Sequence, residues 1–155
     1  MKNKILFGVG MLVSCLMSAN AADFNVDVGA AFRHDLKGHT DKGAVLVGSA
    51  AFNKYVSGYV QAVSYEGNDK WGGSVIDEGS LGVASSLWSS KRISLGVFGG
   101  VTRTFGKAED WGMGLGLAPE VKLYKNFSLF AASEFRVFIK QRDDILTTAG
   151  VSWKF

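Results

Sequence analysis

The chain has 155 residues, with 17 Lys+Arg against 14 Asp+Glu, one proline and one cysteine, Cys15. That length suits one domain. A balance this near neutrality argues against a nucleic-acid footprint, and a lone cysteine excludes both a disulfide framework and a thiolate metal site.

The chain opens on a leader. Lys2 and Lys4 precede an apolar run, Ile5 to Met17, and Ala19-Asn20-Ala21 is a small-x-small cleavage site. Residues 1–21 therefore read as a cleaved signal peptide and 22–155 as the mature domain. Leu12-Val13-Ser14-Cys15 offers a competing lipobox reading, against which stand the short apolar core before Cys15 and the apolar remnant a cut there would leave. No later apolar run is long enough for a membrane-crossing helix.

Eight segments then alternate with a period of two, the pattern of strands with unlike faces. Strand one sets Phe24, Val26, Val28, Ala30 and Phe32 against Asn25, Asp27, Gly29, Ala31 and Arg33. A polar stretch, Asp35 to Gly43, separates it from strand two, Ala44 to Phe52, which is apolar on both faces. Strand three runs from Tyr55 to Tyr65, and a second polar stretch, Glu66 to Ser74, leads to strand four, about Val75 to Leu87. Strand five begins at Ile93. A third polar stretch, Gly106 to Gly112, precedes strand six, Met113 to Leu123, and strand seven spans Phe127 to Ile139. In the last strand Ile145, Thr147, Ala149, Val151, Trp153 and Phe155 oppose Leu146, Thr148, Gly150, Ser152 and Lys154. The fold class this predicts is all-β, an eight-stranded antiparallel up-and-down barrel.

Connections after strands two, four and six are short, and the others are longer and charged. Keeping the apolar faces on one side matches Phe52 with Val56, Leu87 with Ile93, and Leu123 with Phe127 across a three-residue turn with a left-handed Asn126. A two-residue turn between Tyr124 and Phe127 would push Glu120 and Lys122 outward. Aromatics flank every short turn, predicting a girdle of Phe24, Phe52, Tyr55, Trp88, Tyr124 and Phe127 at one water–hydrocarbon boundary. A soluble lipocalin-like barrel is the competing architecture, and it would turn the Val/Leu/Phe face inward.

With its alternating strands, uneven connections, aromatic girdle and Val151-Ser-Trp-Lys-Phe155 ending, the chain resembles the small eight-stranded outer-membrane β-barrel superfamily. That superfamily includes the membrane domain of outer membrane protein A, the OmpX-type proteins and the opacity-type adhesins. The resemblance implies a transmembrane barrel in the bacterial outer membrane with both termini periplasmic. It also implies that Val151, Trp153 and Phe155 form a signal read by the barrel-assembly machinery, with periplasmic chaperones as further partners during biogenesis. Outer-membrane lipid and lipopolysaccharide would surround what is expected to be a monomer.

In such a barrel the charges of the other parity face a narrow lumen, where they need partners. Asp27, Arg33, Glu78, Glu120, Lys122, Glu134, Arg136 and Lys154 form the expected Glu/Arg/Lys network, with Glu134 opposite Gly116, Arg136 opposite Gly114, and Lys154 reaching toward Asp27. The functional expectation is a non-enzymatic outer-membrane barrel with a structural or surface-interaction role. A narrow gated pore for ions or small solutes is the alternative. A third is a lipid A-modifying enzyme using His34, Ser74 and Asp77, but no spacing here matches such enzymes. No metal or cofactor is implied. Lys37, Lys42, Lys70, Arg103, Lys107 and Arg142 gather at the outer end, with Arg103 on the outward parity and within reach of lipid phosphates. Trp71 and Trp111 stand beside them as interface anchors or partner contacts.

Overall fold

Residues 23–66, 76–105, 109–141 and 143–155 are described in a computed structural model of the chain. The period-two segments become β1 (Phe24–Asp35), β2 (Thr40–Ala51), β3 (Val56–Tyr65), β4 (Glu78–Ser89), β5 (Ile93–Thr104), β6 (Asp110–Tyr124), β7 (Phe127–Phe138) and β8 (Asp144–Lys154). Each strand pairs antiparallel with its sequence neighbours, and β8 pairs with β1, so the sheet closes without an edge. The expected signal peptide, the loop residues Asp69, Lys70, Trp71, Ser74 and Lys107, and Arg142 lie outside the described residues.

Closure carries a stagger. From Phe24 the paired residues run Ala50, Gly58, Val83, Gly99, Leu115, Phe135, Ile145 and back to β1 at His34, ten residues beyond the start (34 minus 24). Strands in such a barrel must tilt against its axis. A cross-strand row therefore climbs as it goes round, joining the inner end of one strand to the outer end of another.

The two faces are assigned by exposure. Val28, Leu46, Leu81, Val83, Met113, Leu115, Leu129, Phe135 and Val137 are exposed on the outside, whereas Arg33, Glu78, Thr102, Glu134, Arg136 and Asp144 are buried within. A soluble barrel would show the reverse, so the lipocalin-like arrangement is excluded. In β2, apolar on both faces, Val45 pairs with inward Gly29 and Leu46 with outward Val28.

Three local details differ from expectation. The stretch from Asp35 to Gly43 is no long loop: the ladder continues to His34 opposite Thr40. Ladder bonds need no apolar side chains, so the hairpin runs on above the apolar band. It turns at Gly38 (φ 90°), while the Asp35 carboxylate accepts the Lys37 and His39 N–H groups at 2.9 Å each.

At the β6–β7 end the turn has two residues, Tyr124 pairing with Phe127, and a bulge between Lys122 and Tyr124 restores Lys122 opposite Ser128. The extra residue keeps Glu120 and Lys122 on the inner parity. No non-glycine residue among those described has a positive φ, so Asn126 is not left-handed.

β4 continues to Ser89 with a bulge between Ser86 and Trp88, and Ser90 N donates to Ile93 O at 2.8 Å. Leu87 therefore does not pair with Ile93, although the faces are preserved. Only Phe52 keeps its expected partner, donating its N–H to Val56 O at 2.9 Å.

Candidate functional site

The lumen is the one interior space eight strands create, and inward residues fill it in layers. At the end of the barrel opposite the short turns, Arg33 from β1 and Arg136 from β7 each bridge the same two carboxylates, Glu78 of β4 and Asp144 of β8. Arg136 Nε lies 2.7 Å from Asp144 Oδ1 and its NH1 2.5 Å from Glu78 Oε2. Arg33 Nε lies 2.5 Å from Asp144 Oδ2 and its NH1 3.4 Å from Glu78 Oε1. Arg136, Asp144 and Glu78 are fully buried and Arg33 is 8% exposed. Two cations and two anions cancel, the condition under which charges withdrawn from water are tolerated.

Neutral groups complete this cluster. Tyr65 OH donates to Glu78 Oε2 at 3.0 Å, and both guanidiniums lie against the Phe138 ring, 5.7 and 5.3 Å from its centroid. Gln141 crosses above: its side-chain oxygen accepts from Arg33 at 3.1 Å and its amide nitrogen donates to Thr104 at 3.0 Å. Asp110 Oδ2 holds this connection by accepting the Lys140 and Gln141 backbone N–H groups at 2.8 and 2.7 Å.

Below the charges comes an apolar layer. Ala31, Val45, Val63, Tyr65 and Leu146 form a buried cluster against which Val47 and Phe130 pack. On the other side Tyr59 stands edge-on to Phe98, with centroids 5.8 Å apart, over Gly82 and Gly100, where any Cβ would collide with the Tyr59 ring or hydroxyl. Glu134 is buried at this depth, and its Oε1 has no hydrogen-bond partner. Gly116 faces Glu134 and Gly114 faces Arg136, as read from the turns. The space is used diagonally, however: Gly114 makes room for the Glu134 carboxylate and Gly116 for the Phe98 ring.

Of the eight expected lumen charges, Arg33, Glu78 and Arg136 meet, while Glu134 is near and unbonded. The lower ones do not join them. Glu120 accepts from Ser94 Oγ at 3.3 Å, and Lys122 is exposed. Lys154 does not reach Asp27. It sits on the last rung, opposite Asn25, and its side chain clears the rim to Asp23 at 2.8 Å, half exposed. Asp27 lies one inward position deeper, opposite Ser152, with Oδ1 lacking a hydrogen-bond partner. Asp144, the acid that completes the outer cluster, is not among the expected charges because it precedes Ile145, where the sequence pattern begins the last strand. Extending the parity of Leu146 and Thr148 back by one position would have turned it inward.

At the opposite end the aromatics collect near the short turns. Phe52, Tyr55, Trp88, Tyr124, Trp153 and Phe155 are exposed, and Trp153 packs edge-on to Phe127 at 6.0 Å. Phe155 lies 6.1 Å from Phe24 and donates its N–H to Phe24 O at 2.8 Å, so the outward parity of Val151, Trp153 and Phe155 runs into that of β1. Of the residues considered for catalysis, Ser74 lies outside the described residues and the other two have partners of their own. His34 is exposed and meets Thr40 Oγ1 at 3.0 Å, whereas buried Asp77 accepts the Tyr65 N–H at 2.7 Å.

Among solved structures, Ail, the attachment invasion locus protein of Yersinia pestis, superposes with a TM-score of 0.57 at 14% identity, over 86% of this chain and 98% of that one. Neisserial surface protein A gives 0.53 at 16% identity, over 86% and 96%. A de novo designed transmembrane β-barrel gives 0.56 at 12% identity, over 85% and 95%. The fold is that of a small transmembrane β-barrel. No protein-family model and no curated protein sequence matches the chain. Even a designed barrel shares this fold, so the architecture follows from strand number, parity and closure rather than from one lineage's activity.

Proposed function

We infer that the chain is a non-enzymatic outer-membrane barrel whose lumen is closed, and which acts as a structural or surface-interaction element through its outer wall and rim. The observation that carries this is the buried Arg33–Glu78–Arg136–Asp144 cluster lying across the outer end of the lumen, with an apolar layer beneath it. A conducting path would have to break charge pairs that have no water to receive them.

The membrane reading rests on the exposed apolar band, which hydrocarbon accepts and water does not. Both termini are read as periplasmic because the first and last described residues, Asp23 and Phe155, lie at the end with the short turns and aromatics. In this reading Val151, Trp153 and Phe155 are recognised by the barrel-assembly machinery and chaperones, and lipid and lipopolysaccharide surround a monomer. The outer connections 36–39 and 139–143 are brief and 66–77, between β3 and β4, is the longest; connections of this size favour contacts made by the rim over those of long adhesive loops.

Planar-bilayer recording of the purified full chain tests the closed lumen. Only baseline current is expected, and a steady large conductance would refute it. A narrow gated path has one observation in its favour, the buried and unbonded Glu134 Oε1 two residues from Arg136. If that carboxylate takes Arg136 from its partners to open a path, Glu134→Gln must change brief conductance events; unchanged records eliminate the gate.

A further inference from the structure

A groove of about 530 Å³ crosses the outer wall of the barrel, on the side away from the lumen cluster. Its floor follows two neighbouring cross-strand rows. One runs Val26, Gly48, Val60, Leu81, Val101, and the other Leu46, Ala62, Gly79, Arg103, Trp111. Gly48, Ala62 and Gly79 are the small positions that make the wall concave, between larger residues on either side. A Cβ on Gly48 would meet only ordinary contacts, 3.6 Å from Val60 and 3.8 Å from the Phe24 ring, so the hollow there is open. Because of the stagger, the groove rises from the first residues of β1 to the last residues of β5.

The upper end is chemically unlike the rest. Arg103 has the outward parity, near the outer end of β5, where every other lining side chain of that face is apolar or small. Its guanidinium lies 5.1 Å from the Trp111 ring centroid and 5.8 Å from that of Phe105, and Phe105 folds over Gly79. Its NH2 pairs with Glu109, itself 58% exposed, while its buried Nε has no hydrogen-bond partner. An exposed pair of this kind adds little stability and is readily exchanged. A phosphate offers the same guanidinium two oxygens at once.

We propose that this groove is a lipid site, holding one acyl chain of an anionic phospholipid or glycolipid of the surrounding leaflet, with Arg103 on its phosphate. The occupant is fixed by the pairing of features. An apolar trough of small-ligand size leads to one aromatic-flanked cation at the height of the headgroups, which matches a molecule with a hydrocarbon tail and an anionic head. The inference rests on the membrane reading above, and its test separates the two.

The full chain is folded into nanodiscs of phosphatidylcholine doped with phosphatidic acid, with bromine on the acyl chains of one lipid or the other, and tryptophan quenching is measured. Quenching by brominated phosphatidylcholine alone reports insertion; its absence would refute the membrane reading itself. The groove is read from the part of the quenching that Trp111→Phe removes. For Trp111, brominated phosphatidic acid should be enriched about fivefold over its bulk fraction, the ratio that about 1 kcal/mol per basic residue gives. Arg103→Gln should abolish the enrichment while insertion persists, and Ala62→Phe, which adds bulk to the trough and leaves Arg103 in place, should reduce it. Trp111 quenching by each lipid in proportion to its bulk fraction in the wild-type protein, or enrichment that survives Arg103→Gln, would overturn the site. Enrichment unaffected by Ala62→Phe would overturn the acyl-chain part of the assignment.

Discussion

Arg136→Met should destabilise the folded barrel by about 3–5 kcal/mol, the usual cost of breaking a buried pair from one side. Arg136 has no exposed surface and contributes contacts of 2.5 Å to Glu78 and of 2.7 and 3.1 Å to Asp144. Methionine fills much of the same volume but leaves the four-residue cluster with one cation, Arg33, for two anions. Arg33 is already committed, at 2.5 Å to Asp144 and 3.4 Å to Glu78, so it cannot replace what is lost.

Lys154→Met is the matched control. It removes an ion pair of similar length, 2.8 Å, from a position half exposed to solvent, and should cost about 0–1 kcal/mol. The double variant Arg136→Met/Asp144→Asn leaves Arg33 facing Glu78, one charge against one. It should be less destabilised than the sum of its single variants by about 1–3 kcal/mol. Urea unfolding of the full chain refolded into phospholipid vesicles, followed by tryptophan fluorescence, measures all four. A loss for Arg136→Met no greater than that for Lys154→Met, or strict additivity in the double variant, would refute the reasoning that the cluster is dry and mutually dependent.

Leu115→Arg, on the middle of the exposed apolar band, should cost about 2–4 kcal/mol in vesicles, and Tyr124→Arg, at the turn end, about 0–1; equal costs would contradict a hydrocarbon surround. Gly82→Ala puts a methyl group against the Tyr59 ring and the Gly99 carbonyl, and should lower stability by about 1–3 kcal/mol. Tyr59→Ala beside it should relieve part of that loss, which a double-mutant cycle in the same unfolding assay would show. Phe155→Ala should leave the unfolding midpoint of refolded protein little changed but reduce the folded, heat-modifiable band in cell envelopes; normal envelope levels would speak against a role for Phe155 in assembly.

Parity carried most of what the sequence revealed. The alternation Phe24-Val26-Val28 and Leu129-Ala131-Ser133-Phe135 places outward faces correctly, because a one-residue slip exchanges lipid and lumen for a whole strand. Parity says nothing of register in steps of two. Leu87 was matched with Ile93, whereas the turn closes at Ser90 and Ile93 behind a bulge. Near Tyr124 the expected register was right for Lys122 and Ser128 although the turn itself was not, since a bulge adds the residue that a longer turn would have supplied.

The cluster was harder to see. Glu78 stands in the polar triplet Asp77-Glu78-Gly79 near the start of strand four, and Asp144 ends the polar run from Lys140. Polar sequence at a strand end signals a loop in a water-soluble protein, but also an inward face in a barrel turned inside out. Which charges meet across the lumen depends on the stagger, which no local pattern encodes.

The composition of the outer cluster ties its charge balance to the seam between β8 and β1. Its members come from β1, β4, β7 and β8, and within β1 to β7 Arg33 and Arg136 share the single charge of Glu78. Without β8, Arg33, Arg136 and Glu78 carry two positive charges against one negative. Asp144, the first residue of β8, supplies the second negative charge. The acid that balances the outer cluster and the ladder that closes the sheet thus belong to one strand.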